Sequence, residues 1–151
     1  MGMDLSPLNP DVDGAHYNFT GWGIIGDLLI ELGCDLSAMS GSNDGDVVGP
    51  DTARAWGEAI RDALDAGTIY VQYFEDSTYA GGLREELHVE GTLTPRVPST
   101  AAYLKALFAG EPDRPAEEPV RRESVTPGSE TYAWLERAAT FFETSGGFHQ
   151  Y

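Results

Sequence analysis

Only one cysteine, Cys34, stands in this 151-residue chain. That excludes an intramolecular disulfide framework and fits a reducing compartment. Lysine is equally scarce, with Lys105 alone. No stretch approaches the roughly 18 consecutive apolar residues that a membrane helix needs. Met1 to His16 has no lysine, no arginine and no apolar run, so it does not read as a secretory signal. The expected location is therefore cytoplasmic. The histidines, His16, His88 and His149, show no HxxH or HxxxH spacing, and a lone cysteine cannot form a CxxC pair, so no metal site is expected. The glycines of Gly21-Trp22-Gly23 and Gly81-Gly82 lack the strand–GxGxxG–helix or GxxxxGK[ST] setting, so no nucleotide or other cofactor is expected.

What the chain has in excess is negative charge. Twenty-five acids against nine bases leave a formal charge of −16. Residues 1–67 hold 12 acids and two arginines, net −10, and residues 68–151 hold 13 acids and seven bases, net −6. Nucleic acid and anionic membranes both require the opposite sign, so neither is an expected partner. A basic protein is the macromolecule such a surface would attract, unless the charge serves only solubility or salt adaptation. An apolar content of 41% supports one core, so residues 1–151 read as a single domain.

Residues 1–17, with two prolines and no periodicity, read as an extended arm whose end docks through Tyr17 and Phe19. Thr20 reads as an N-cap. Trp22, Ile25, Leu28, Leu29 and Leu32 then form a helical stripe that Gly33 ends. Gly21, Gly23 and Gly26 weaken this helix and point to another backbone passing close by. After a Gly/Asp-rich loop, Gly49-Pro50 starts a second helix with Asp51 at its positive end. Ala53, Trp56, Ile60, Ala63 and Leu64 share one face, and Gly67 is the stop. Thr68–Glu75 and Leu83–Thr94 read as a hairpin, and Ala101–Ala109 as a short helix. Glu111–Gly128, with four prolines and five acids, reads as an extended surface linker. Ser129-Glu130 opens a broadly aromatic helix that Gly146-Gly147 ends, after which Phe148–Tyr151 tucks back. The fold class expected is mainly α with a small β-hairpin, built on a helix-loop-helix and a C-terminal aromatic helix.

Few residues carry chemistry. Taking Gly45 as the sixth position of an EF-hand places Ser40, Ser42 and Asp44 at positions 1, 3 and 5 and Asp51 at position 12. Position 1 is then not an acid, position 12 is not glutamate, and the entering helix stops at Gly33, so calcium is set aside. Cys34 follows a helix C-terminus, where the dipole disfavours a thiolate. Glu85-Glu86 and Asp44/Asp46 could act as acid–base pairs, but neighbouring acids are expected by chance in so acidic a chain. No catalytic residue is assigned. The outer face of the second helix has more content. Asp51, Glu58, Asp62 and Asp65 fall within about 60° of arc opposite the apolar stripe, with Arg54 and Arg61 at i,i+4 from Glu58 and Asp65. These four acids are the candidate partner-binding residues.

Asn-Phe-Thr-Gly-Trp-Gly at 18–23, Ser-Asn-Asp-Gly at 42–45 before an Ala-rich helix, and Phe-Phe-Glu-Thr-Ser-Gly-Gly-Phe at 141–148 resemble small uncharacterised proteins of high-GC bacteria and their phages. The resemblance spans the two helices and the C-terminal helix. It implies the order helix, loop, helix, variable middle, aromatic helix, and carries no catalytic role. Two functions are expected from different classes. One is a non-enzymatic acidic interaction protein (inhibitor, immunity-type or phage accessory factor) with a basic partner. The other is a small enzyme or ligand-binding protein with a pocket between the first two helices and the C-terminal helix.

Overall fold

The structure is a computed structural model of the chain, and the residues it describes are 2–37, 46–75, 83–90 and 119–151. Among them are seven strands and three helices in the order β1 (Gly2–Pro7), β2 (Ala15–Asn18), α1 (Phe19–Glu31), β3 (Asp46–Val48), α2 (Pro50–Ala66), β4 (Ile69–Glu75), β5 (Leu83–Val89), β6 (Arg121–Ser124), α3 (Glu130–Thr144) and β7 (Phe148–Gln150). The strands form two antiparallel sheets, ordered β2-β1-β7-β3 and β5-β4-β6. With 42% of these residues helical and 32% in strands, the fold is a strand-rich α+β domain. The expectation of a mainly α protein is overturned. Four strands of three to six residues make up the first sheet, and only β1, with Met3 and Leu5 against Asp4 and Ser6, spans enough residues to alternate clearly.

Residues 2–7 are paired on both sides. Met3 faces Tyr17 and Leu5 faces Ala15 on β2, while Leu5 also faces Gln150 on β7. Gly147, at φ +92°, turns the chain from α3 into β7, and a Cβ there would lie 2.7 Å from the Val48 carbonyl oxygen. Phe148–Gln150 is thus an inner strand, bonded to β1 and β3. Alternation sends Met3, Leu5, Tyr17, Val48 and Phe148 into the core. The hairpin β4–β5 forms as expected, Ile69 facing Val89 and Glu75 facing Leu83. On its other side β4 takes β6, Tyr70 facing Ser124. Arg121–Ser124, inside the segment read as a linker, therefore completes a sheet, and Val125 beyond it is buried. The short helix expected at 101–109 and the Gly/Asp-rich loop at 38–45 lie outside the described residues.

The helix ends follow local chemistry. Asn18, rather than Thr20, caps α1: its Oδ1 accepts the Gly21 N–H at 2.6 Å. Gly33 (φ +79°) and Gly67 (φ +69°) follow the last turns of α1 and α2 in the left-handed region. Ser129 Oγ accepts the Tyr132 N–H at the start of α3.

The helix pair that organises the packing is α2 with α3, while α1 touches α2 only slightly and leans on β5. Of the α1 glycines where a close approach was expected, Gly21 and Gly23 show no other backbone nearby. Gly23 has nothing within 4 Å of a built Cβ, and Gly21 meets the side chains of Asn18 and Trp134. In α2, a Cβ on Gly57 would lie 2.6 Å from the Ala139 carbonyl oxygen and 2.6 Å from Glu143 Cγ. Glycine costs a helix interior about 1 kcal/mol relative to alanine, so an isolated helix would gain from Gly57→Ala. In the folded protein the contact reverses the sign, and Gly57→Ala should destabilise by roughly 1–3 kcal/mol through overpacking. Urea unfolding checks this, and a stability gain would show that α3 does not bear on that backbone.

Aromatic rings fill the space between the helices and the first sheet. Phe142 and Phe148 stack at 5.6 Å, Trp56 lies edge-on to Phe142 at 5.6 Å, and Trp22 stands 6.4 Å from each of the two phenylalanines. Trp134 joins through Tyr17, at 5.9 Å. The three tryptophans thus share one cluster through intermediate rings.

Candidate functional site

The four acids picked out from the sequence all lie on α2 and all are exposed. Their arginines do not pair as the i,i+4 spacing suggested. Arg61 leaves the outer face: its Nε donates to Glu143 Oε1 on α3 at 2.7 Å and its Nη2 to Thr140 Oγ1 at 2.9 Å. The seam between the helices shields this pair more than open solvent would, and a planar guanidinium gains two bonds there. Arg54 reaches back to Asp51 at 3.5 Å. Among the described residues, Glu58, Asp62 and Asp65 consequently have no ion-pair partner. This face thus has fewer direct ion pairs than the spacing implied, although Arg61 still acts on Asp65 through space.

The most tightly built ionic cluster is one that sequence spacing did not show. His88 on β5 is buried, with its Nδ1 donating to Glu31 Oε1 at 2.8 Å and its Nε2 at 3.3 Å from Glu86 Oε1. Glu31, the last residue of α1, also accepts the Val89 N–H at 3.2 Å. Arg84 donates to Glu86 at 2.8 Å. Burial by itself lowers the His88 pKa, but the two carboxylates outweigh it and raise the value to about 9. Burial likewise opposes ionisation of Glu86, yet bonds from His88 and Arg84 leave its pKa lowered. A histidine held protonated between two carboxylates is not a general base near neutrality. Its work is mechanical: it pins the end of α1 to an edge strand of the second sheet.

The remaining candidates separate. Glu85 and Glu86 are neighbours on a strand and point to opposite faces. Cys34 is half-buried, and burial raises its pKa, away from nucleophilic use. His16 bonds Asp4 at 2.5 Å on the exposed face of the first sheet, and His149 lies on β7 of the same sheet, opposite Ser6 and beside Tyr151. No group of three metal-ligating side chains is present among the described residues. No helix among them is long and apolar enough to cross a membrane.

The space between the helices, where a pocket was one expectation, is filled by Trp22, Trp56, Phe142 and Phe148. An open groove of about 670 Å³ lies between residues 12–17 and α3. No family model, no curated protein and no solved structure matches the chain.

Proposed function

We propose that the protein is a non-enzymatic interaction protein that presents the outer face of α2 to a basic protein partner in the cytoplasm. The observation that carries this reading is the diversion of Arg61 to Glu143 and Thr140, which leaves Glu58, Asp62 and Asp65 exposed and without a salt bridge among the described residues, Arg61 acting on Asp65 only through space. A filled aromatic core beside that face supports it, since the face is rigid and offers charge rather than a cavity. Nucleic acid is not part of the proposal: the α2 row, about 21 Å long at 1.5 Å per residue, carries four acids where one DNA strand would show about six phosphates. An inhibitor, immunity-type or phage accessory role stays within this proposal.

Rim charges act on association rate and salt dependence more than on final affinity. Reversal of Glu58 and Asp62 to lysine should therefore slow association with the partner about tenfold at low salt and flatten its ionic-strength dependence, with folding nearly unchanged. Proteins of the native host retained on the immobilised chain at low salt, and released at high salt, supply the partner for that measurement. Failure to retain any basic protein, or indifference of the retained one to the double reversal, removes the acidic face from recognition.

A further inference from the structure

The groove beside α3 holds an unusual arginine. Arg54, Arg61, Arg84, Arg121 and Arg122 each pair with a carboxylate. Arg137 has no ion pair among the described residues, in a chain of 25 acids and nine bases. It is exposed on α3 and lines the groove of about 670 Å³. Asp13, in the connection between β1 and β2, lines the same groove, is exposed and is also without an ion pair among the described residues. The lining also includes the rings of Tyr17, Trp134 and Phe141, with Tyr17 and Trp134 edge to face at 5.9 Å.

Separation of two exposed charges means little alone, because such pairs gain under about 1 kcal/mol in water. Here both charges share with aromatic rings a recess whose volume lies in the range of small-ligand sites, roughly 300–1,000 Å³. The sign balance narrows the ligand. The lining mixes acids (Asp13 and Glu136) with bases (Arg137, and His16, which bonds Asp4), which suits neither a simple anion nor a simple cation. We infer that the groove binds a small zwitterion with an apolar body, the chemical class of free aromatic and aliphatic amino acids. The carboxylate meets the planar fork of Arg137, which suits bidentate pairing. The ammonium turns toward Asp13, and the body lies on Tyr17 and Trp134. This site is independent of the α2 face.

The test is a titration of the full chain with L-phenylalanine, L-tryptophan and L-leucine, followed by the amide and indole resonances of Tyr17 and Trp134. Phenylacetate, phenethylamine and glycine serve as probes lacking the ammonium, the carboxylate or the body. A saturable shift at Tyr17 and Trp134 is expected for at least one of the three amino acids. Arg137→Gln and Asp13→Asn should each weaken it about tenfold, as should each deletion from the ligand. Both side chains are exposed, so the variants should fold, and circular dichroism verifies that they do. No saturable shift with any of the three, shifts confined to other residues, or equal binding by Arg137→Gln would overturn the inference.

Discussion

Phe148→Ala should cost about 3–5 kcal/mol of stability, the range for deleting a buried aromatic ring. Phe148 has no solvent exposure and contacts the rings of Trp22, Trp56, Phe141 and Phe142. It is also the residue of β7 that faces Pro7 on one side and Val48 on the other, so losing it loosens the strand that joins the two halves of the first sheet. Trp56→Ala, which removes the ring across the cluster and the indole N–H bond to the Asp35 carbonyl at 3.0 Å, belongs in the same range. Because the two rings touch, the double variant should lose less than the sum of the two. Chemical denaturation measures all three. A loss below about 1 kcal/mol for Phe148→Ala would mean that the sheet and the aromatic cluster do not depend on each other.

The second large effect is a pH dependence centred on His88. Its folded pKa of about 9 exceeds the ordinary 6.5, so the folded state holds a proton that the unfolded chain releases. The resulting stability is fully present below about pH 6.5 and is lost as pH rises through about 9, on the order of 3 kcal/mol at 1.36 kcal/mol per unit. Burial also raises the pKa values of Cys34 and Tyr17, and these too destabilise the fold in alkali. The diagnostic is therefore the gap between wild type and His88→Gln, which cannot titrate. That gap should shrink across the window from pH 6.5 to about 9, followed by urea unfolding at several pH values. A gap constant with pH would mean that the Glu31–His88–Glu86 cluster carries no ionic stabilisation.

Local chemistry in the sequence was sufficient for much of the frame. Gly49-Pro50 and Gly67 mark the ends of α2 because a fixed proline φ and a left-handed glycine act within one turn. The buried face of α2 followed from its period. The run Ile69–Phe74 announced a strand because β-branched and aromatic side chains crowd a helix. Ser129 and Gly146-Gly147 bounded α3 in the same way. The row of acids on α2 was legible for the same reason as its apolar stripe, since helical phase is set by position in the chain alone.

What was not legible depends on residues far apart in the chain. Gly2–Pro7 and Phe148–Gln150 become strands only by pairing with each other, Leu5 against Gln150. The linker composition of Glu111–Gly128 concealed β6, whose ladder with β4 needs backbone groups rather than a side-chain period. Arg61 had a helical neighbour at i,i+4 in Asp65 but took Glu143, because α3 brings a carboxylate and a hydroxyl into a partly shielded seam. Glu31 and His88 meet because α1 ends beside β5, and sequence distance contains no trace of that. Thus the sequence by itself determined the limits of α2 and α3, the β4–β5 hairpin, the apolar faces and the excess of negative charge, the structural features among them arising from interactions within a turn or across a short loop. Only the tertiary structure decided the first sheet, the close contact at Gly57, the protonated His88 and which acids lack an ion pair among the described residues, because each depends on how distant segments are brought within a few ångströms of each other.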